Sequence, residues 1–226
     1  QLDLQDIFNE LNFYIGKYTG SYFTIPELEQ TLDTGQMAVY SDHKPKYADS
    51  QLSKQILSPF RTTYNFTTQV SGYVIVPDST YLDFLDLQIF FSISNREVYY
   101  QPTMLNEDTR ADVLNSQENP VTITSPAMEQ TAKQSFRLYP SNPNGYNGTV
   151  TYFRRPVKPV FGYSVISGRV IVYNPNTSTQ LEWMDTDIQE IIIKSLQPLG
   201  INLRSEDISA WAAAKTAGNY VNQNRL

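Results

Sequence analysis

The sequence contains no cysteine and one histidine, His43. Without cysteine, the chain has no disulfide, no thiolate metal ligand and no thiol nucleophile. A single histidine argues against a catalytic triad built on imidazole. His43 lies in the polar stretch Asp42–Pro45, where a helix is expected to end. It is therefore predicted to be a solvated surface residue and not a ligand or a base.

Basic residues and long apolar runs are also scarce. The chain has 17 Lys and Arg against 23 Asp and Glu, a formal net charge of −6. A general nucleic-acid binder would be basic, although an acidic surface can line a path along which DNA slides. No apolar run approaches the roughly 20 residues that span a bilayer, and no secretory signal is visible. The lack of cysteine agrees with synthesis in a reducing cytoplasm.

Motifs that would indicate an enzyme are absent from the sequence. It has no G-x-x-x-x-G-K or G-x-G-x-x-G phosphate loop and no G-x-S-x-G nucleophile elbow. Grouped carboxylates can act as acid and base or hold a divalent ion. Those at predicted helix starts also complement the helix dipole. The acidic groups are Asp83 with Asp86, Asp185 with Asp187 and Glu190, and Glu206 with Asp207. The sequence thus predicts no catalytic, metal or cofactor site.

Three amphipathic helices are predicted before residue 60. Apolar residues recur at helical spacing over 3–15 and 24–42, and a shorter helix is expected over 50–57. Thr24 and Glu27 have the spacing of a capping box.

Beyond residue 60 the pattern becomes that of strands, with β-branched and aromatic residues between turn signals. The turn-rich segment 142–148 is predicted to join two strands, 135–139 and 149–153, as a hairpin. Gly168 is predicted to lie in a second hairpin turn, and 108–114 to be a short helix or a turn. The predicted strands are 62–70, 72–76, 82–91, 98–101, 120–124, 135–139, 149–153, 161–166 and 169–173.

Residues 183–215 are predicted to form two amphipathic helices separated by a tight turn. Thr186 and Gln189 have capping-box spacing at the first helix. The second helix is expected to run from Ser205 to Lys215 and to include Trp211. The remaining segment, Gly218–Leu226, is predicted to be flexible or ordered by a partner.

The predicted fold class is α+β, a helical layer packed with a mostly antiparallel sheet or sandwich. The predicted domains are N-terminal helices (1–59), a β-rich region (60–182), and a helical pair with a tail (183–226). The first and last are expected to pack together, because isolated amphipathic helices need a partner for their apolar faces. Trp183, at the strand-to-helix junction, is expected to be a structural pin.

A basic cluster combines Arg154, Arg155 and Lys158 with aromatics and two prolines over 152–159. Contact with phosphates is one interpretation, and solvated cations at a rigid corner are favoured over it. A protein interface fits better, because arginine and aromatic side chains are enriched there. The candidate interface residues are Arg154, Arg155, Lys158, Trp183 and Trp211.

Six short motifs stand near the two ends of the chain and in its second half. They are DIF at Asp6–Phe8, TIPE at Thr24–Glu27, FRLYP at Phe136–Pro140, YFRRP at Tyr152–Pro156, LEW at Leu181–Trp183 and LGINLR at Leu199–Arg204. By these motifs the chain resembles head-to-tail connector proteins of short-tailed phages that infect Bacteroidota, including crAss-like phages. The resemblance rests on packing motifs and not on a catalytic signature. It is weaker from about residue 60 to 129, and Ser205 stands where a charged residue is usual.

The resemblance implies a structural virion protein without enzymatic activity or cofactor. Such a protein would form a homo-oligomeric ring of about twelve copies beneath the portal, with heterologous contacts between copies. It would seal the packaged head, dock neighbouring ring or tail proteins and leave a lumen for DNA without sequence-specific binding. The expected location is the virion neck, after assembly in the host cytoplasm, with no membrane partner.

Two other functions remain open at this point. A carbohydrate- or receptor-binding β-domain is suggested by the 16 tyrosines, because aromatic rings stack on sugars. A carboxylate-based hydrolase is suggested only by the acidic groups.

Overall fold

The computed structural model describes residues 3–20, 22–68, 72–93, 96–166 and 170–201 of the 226-residue chain. Within these ranges five α-helices form: α1 Leu4–Thr19, α2 Ile25–His43, α3 Gln51–Ile56, α4 Glu107–Leu114 and α5 Asp185–Leu196. The strands of the same ranges are β1 Arg61–Thr67, β2 Tyr73–Ile75, β3 Tyr81–Ile93, β4 Arg96–Tyr100, β5 Thr103–Met104, β6 Ala127–Ala132, β7 Ser135–Tyr139, β8 Asn147–Arg154, β9 Tyr163–Ile166 and β10 Val170–Tyr173. The predicted α+β class is confirmed.

The start of α2 follows the predicted capping box. The backbone N–H and the hydroxyl of Thr24 each donate to the Glu27 carboxylate at 2.7 Å. The two hydrogen bonds lower the pKa of Glu27 below its ordinary value, and the backbone hydrogen bond is the larger cause. At α5 the predicted capping box is wrong. That helix begins at Asp185, so Thr186 lies in its first turn and donates to the Asp187 carboxylate at 3.0 Å.

The described chain divides into two units by its contacts. Unit one contains described residues of 1–59 and 156–226, and unit two is Phe60–Arg155. The first division coincides with the predicted boundary after 59, whereas the second falls after 155 and not after 182. Segment 156–182 belongs with the helices because its backbone bonds to α2. The N–H of Phe161 donates to Glu29 Oε1 at 2.8 Å, and Gln36 Nε2 donates to the Val157 carbonyl at 3.1 Å.

In unit one, α2 packs on α5, and α1 also contacts α5. The two helices α2 and α5 lie close together at Gly35, where a Cβ would overlap Ser195 Oγ and lie 2.7 Å from the Ile191 carbonyl oxygen. The apolar stripe predicted for α5 is buried at Ile188, Ile191 and Ile192. The second helix predicted for this pair, 205–215, lies outside the described residues.

Unit two is a sandwich of two four-stranded sheets, β1-β8-β3-β4 and β2-β7-β6-β5. The paired strands are antiparallel except β5 with β6. Buried residues of both sheets form one core cluster, to which Phe66, Leu87 and Ile89 come from the first sheet and Phe136 and Leu138 from the second. This is the alternation that a half-buried strand requires.

Two strand predictions in unit two are wrong. Strands β7 and β8 do not form a hairpin, because β7 pairs with β2 and β6 while β8 pairs with β1 and β3. The intervening turn segment passes from one sheet to the other, with Gly145 at φ 73°. Residues 120–124 form only an isolated bridge between Thr122 and Ser125. At 142–148 turn chemistry fixes the local bend, while burial in the shared core fixes the pairing of β7 and β8. At 120–124 the side chains are exposed or half-buried, so no burial extends the bridge into a strand.

None of the helices among the described residues is sufficiently long and apolar to cross a membrane.

Candidate assembly surface

The hairpin of β9 and β10, called the arm from here on, is anchored to α1 by aromatic rings at its base. The Phe161 ring stacks on the Phe8 ring with centroids 4.8 Å apart and planes 12° apart. The Phe161 ring also contacts the Tyr173 ring, with centroids 4.8 Å apart and planes 45° apart. The base of the arm is therefore held by apolar packing inside unit one.

A polar network holds the same base. The Tyr173 hydroxyl donates to Asp3 Oδ1 at 2.6 Å, and Gln180 Nε2 donates to the Tyr173 oxygen at 2.6 Å. Gln180 Oε1 in turn accepts from the N–H of Leu4 at 2.9 Å. The Tyr173 bond is the main cause that lowers the pKa of Asp3, the residue that caps α1.

Beyond its base, the arm exposes apolar side chains on both faces. Val165 and Ile171 share one face, with 54 % and 55 % of their surface exposed. Ile166 and Val170 share the other, at 54 % and 56 %. None of the eight strand residues is charged. Contiguous exposed apolar surface of this kind is typical of sites at which proteins contact another molecule.

Both outer edges of the arm are open in the described part of the chain. There β9 and β10 pair only with each other. An exposed strand edge presents unpaired N–H and C=O groups that template pairing with another chain.

An apolar groove of about 470 Å³ lies where the arm meets α1 and the start of α2. Phe8, Ile25 and Pro26 line one side, and Tyr163 and Ile171 line the side of the arm. The apolar surface of the arm therefore continues into the helical part of unit one.

The predicted basic cluster is divided between the two units. Arg154 and Arg155 end unit two, and Lys158 lies in unit one. The Arg154 guanidinium carbon lies 5.7 Å from the centre of the Phe60 ring. Arg155 is exposed, and its N–H donates to the Thr80 carbonyl at 2.7 Å. Lys158 is exposed, with Nζ 3.4 Å from Gln30 Oε1.

Trp183 is buried, so the structure does not support it as an interface residue. Only 2 % of its surface is exposed, and its Nε1 donates to Gln36 Oε1 at 3.1 Å. The side chain pins the start of α5 to α2, as its position at the junction suggested. Trp211 lies outside the described residues.

The histidine prediction is wrong, because His43 is buried with 9 % of its surface exposed. Its Nδ1 lies 3.1 Å from Ser53 Oγ and its Nε2 lies 3.4 Å from Glu190 Oε2. Helices α3 and α5 supply these partners and cover the end of α2, which the local sequence cannot reveal. The order serine, histidine, acid is that of a hydrolase triad. Ser53 is only 1 % exposed, however, so its hydroxyl is not accessible to a substrate in this fold.

Of the predicted acidic groups, Asp83 with Asp86 lie in unit two and Asp185 with Asp187 and Glu190 lie in unit one. Glu206 and Asp207 lie outside the described residues. Asp187 is buried in the first turn of α5, and this burial raises the pKa of its carboxyl. Asp86 accepts from Gln88 Nε2 at 3.0 Å and from Gln101 Nε2 at 2.9 Å. Among the described residues, no group of three or more His, Asp or Glu side chains is arranged to hold a metal ion.

Sequence reasoning did not identify the arm as a surface. Its strands are mostly apolar on both faces, a pattern that also fits strands buried on both faces. That signal was present in YSVI and VIVY. The apolar pattern indicates that these side chains favour burial. It does not indicate whether the same chain or another molecule covers them.

Compared with known proteins, the chain matches no protein-family model and no curated protein sequence.

Proposed function

We propose that the chain is the structural subunit of a head-to-tail connector ring in a short-tailed phage. The ring binds the portal, contacts neighbouring ring or tail proteins and leaves a lumen for DNA. About twelve copies form the ring by heterologous contacts, in the virion neck after assembly in the host cytoplasm.

The observation that carries this proposal is the arm. It exposes uncharged, apolar side chains on both faces while its base is fixed by Phe161 and Tyr173. An apolar hairpin that is anchored at its base and exposed beyond it suits a subunit that is completed by assembly. The motif resemblance at both ends of the chain supports the same class of protein.

The charge of the chain supports a lumen for DNA. A formal charge of −6 repels the duplex and prevents it from adhering to the wall. Arg155 and Lys158 are exposed cations that suit contacts with an acidic surface of a neighbouring protein.

Co-assembly with the portal ring of the same phage tests the proposal. We expect the purified full chain to bind the portal ring, and electron microscopy to show an added ring with a central channel. The arm variant Ile166→Thr with Val170→Thr should reduce this assembly while leaving the free energy of unfolding within about 0.5 kcal/mol, because both positions are exposed.

The matched control is Leu52→Thr, an exposed apolar position on α3 outside the arm. It should assemble as the unchanged chain does. Detection of the chain outside the neck in intact virions, or failure to bind the portal ring, would contradict the proposal.

A second candidate is a carbohydrate-binding β-domain, favoured by one cavity of unit two. This cavity of about 390 Å³ is lined by amides, hydroxyls and the rings of Phe90 and Tyr99. Tyr99 is 55 % exposed, and its hydroxyl donates to Glu97 Oε2 at 2.6 Å. Exposed rings beside amide groups are suited to stacking and hydrogen bonding with a sugar.

A glycan array separates the two candidates. Glycan binding that is lost in Tyr99→Ala, without affinity for the portal ring, would favour the second. Portal binding that is unchanged in Tyr99→Ala would favour the first.

A further inference from the structure

We infer that the arm pairs edge to edge with the arms of the two neighbouring copies, β9 of one copy against β10 of the next. This inference rests on the proposed ring, because it names the contact between its subunits. At each open edge of the arm, the partner is another copy of this chain.

The hydrogen-bond register identifies which backbone groups face outward. The N–H of Asn174 donates to the Gly162 carbonyl at 2.8 Å, which makes these residues a hydrogen-bonded pair. Antiparallel pairs alternate between hydrogen-bonded and non-hydrogen-bonded. Residue 165 pairs with 171 three positions along the ladder. The N–H groups of Val165 and Ile171 therefore point away from the hairpin, one on each open edge.

A second copy satisfies both edges at once. A single added strand would pair with one edge and leave the other open. In a heterologous ring, each copy instead offers β9 to one neighbour and β10 to the other. Ring closure then leaves no edge unpaired, as in a closed barrel.

The apolar side chains on both faces of the arm agree with pairing to the arm of another copy. Val165 and Ile171 on one face, and Ile166 and Val170 on the other, continue as apolar rows when equivalent arms lie side by side. Neighbouring side chains on one face of a sheet stabilise each other across strands. No charged residue of the described arm would be buried in that contact.

The anchored base reduces the ordering cost of the contact. The Phe161 ring contacts the rings of Phe8 and Tyr173, and Tyr173 is hydrogen-bonded to Asp3 and Gln180. A preorganised edge loses less conformational freedom when it pairs than a free segment does.

Disulfide trapping tests the pairing directly, because the chain has no cysteine of its own. Two single variants, Val165→Cys and Ile171→Cys, are prepared as full chains and mixed under mild oxidation at increasing concentration. We expect covalent dimers in the mixture and few in either variant alone. The control Leu52→Cys places a thiol on the exposed face of α3 and should give no concentration-dependent dimer.

Thiol accessibility in the dilute, monomeric chain shows whether the arm is covered by a second copy or by another part of the same chain. The introduced thiol at position 165 should react with a soluble thiol reagent as fast as the one at position 52, and about tenfold more slowly in the concentrated chain. Slow reaction already in the monomer would mean that another part of the same chain covers the arm, and this would overturn the inference. Dimers formed by each single variant alone would indicate two-fold pairing and would also overturn it.

Proline substitution separates the edge contact from simple apolar burial. Val165→Pro removes an outward N–H without removing a hydrogen bond within the hairpin, whereas Val165→Thr keeps that N–H. We expect the first variant to lose copy-to-copy association and the second to retain it. Equal association of both variants would overturn the edge contact.

These outcomes are distinguishable from those of the connector proposal. Mixed dimers without portal binding would support the arm contact and contradict the connector. Portal-bound rings without mixed dimers would support the connector and overturn the arm contact. Absence of mixed dimers at the highest attainable concentration overturns the inference in every case.

Discussion

Gln36 shows how unit one satisfies a buried polar side chain. It is fully buried, and its Oε1 accepts from Trp183 Nε1 at 3.1 Å. Its Nε2 donates to Asp33 Oδ1 at 2.9 Å and to the Val157 carbonyl at 3.1 Å. One amide thus joins α2 to the start of α5 and to segment 156–182.

Replacement of Trp183 with Phe should lower the free energy of unfolding by about 1–3 kcal/mol, because the buried Gln36 Oε1 then loses its donor. Urea denaturation followed by circular dichroism measures the change. The double variant Trp183→Phe with Gln36→Leu should lose less than the sum of the two single losses. Additive losses would show that the two side chains are not coupled.

Asp78 gives unit two a pH-dependent contribution to stability. The Tyr152 hydroxyl donates to Asp78 Oδ2 at 2.6 Å, and this bond is the main cause that lowers the pKa of the Asp78 carboxyl. A lowered folded-state pKa stabilises the fold above the unfolded-state value of about 3.9. The contribution is lost as the pH falls through the folded-state pKa.

Asp78→Asn should therefore lower the free energy of unfolding at pH 7 by about 1 kcal/mol, and the difference from the unchanged chain should shrink in acid. Urea midpoints across the acid range provide the measurement. Asp112→Asn, at an exposed position of α4, is the control and should follow the unchanged chain. A difference that stays constant with pH would contradict the assignment.

At the scale of elements, local rules predicted the helices better than the sheet pairing. The capping pair Thr24 and Glu27 gave the start of α2, because both partners lie in one turn. The pairing of β9 with β10 was also local and is confirmed, although Gly168 lies outside the described residues. Strands β7 and β8 belong to different sheets, which depends on contacts distant in sequence.

The close packing of α2 on α5 predicts opposite outcomes for two glycines. Gly35→Ala should destabilise the chain by about 1–3 kcal/mol, because its Cβ would overlap Ser195 Oγ and approach the Ile191 carbonyl. Gly16→Ala should be neutral or stabilise by up to about 1 kcal/mol, since a Cβ there meets only the exposed Tyr22 ring at 3.3 Å. Thermal unfolding of both variants measures the contrast, and equal effects would refute the packing account.

At the scale of the whole molecule, sequence alone predicted the class of fold but not the candidate surface. Arg155 and Lys158 are exposed and their role at an interface stays a prediction, whereas Trp183 is buried. The arm was predicted as two strands and not as a surface, because a pattern of apolar residues does not reveal which molecule covers them.

The acidic balance predicts weak affinity for DNA. A chain with net charge −6 should not retain double-stranded DNA in a mobility-shift assay at physiological salt, whatever the DNA sequence. Arg155→Gln with Lys158→Gln should leave this result unchanged. Retention that disappears as salt is raised would instead indicate phosphate contacts and would contradict a wall along which DNA slides.

Because the arm is uncharged and apolar, association between copies through it should depend on temperature. Apolar burial weakens on cooling, so association through Val165, Ile166, Val170 and Ile171 should fade in the cold and return on warming. A heterologous contact that does not close grows into an open filament. Warm, concentrated solutions without a portal template should therefore contain fibres as well as rings, and cooling should dissolve both.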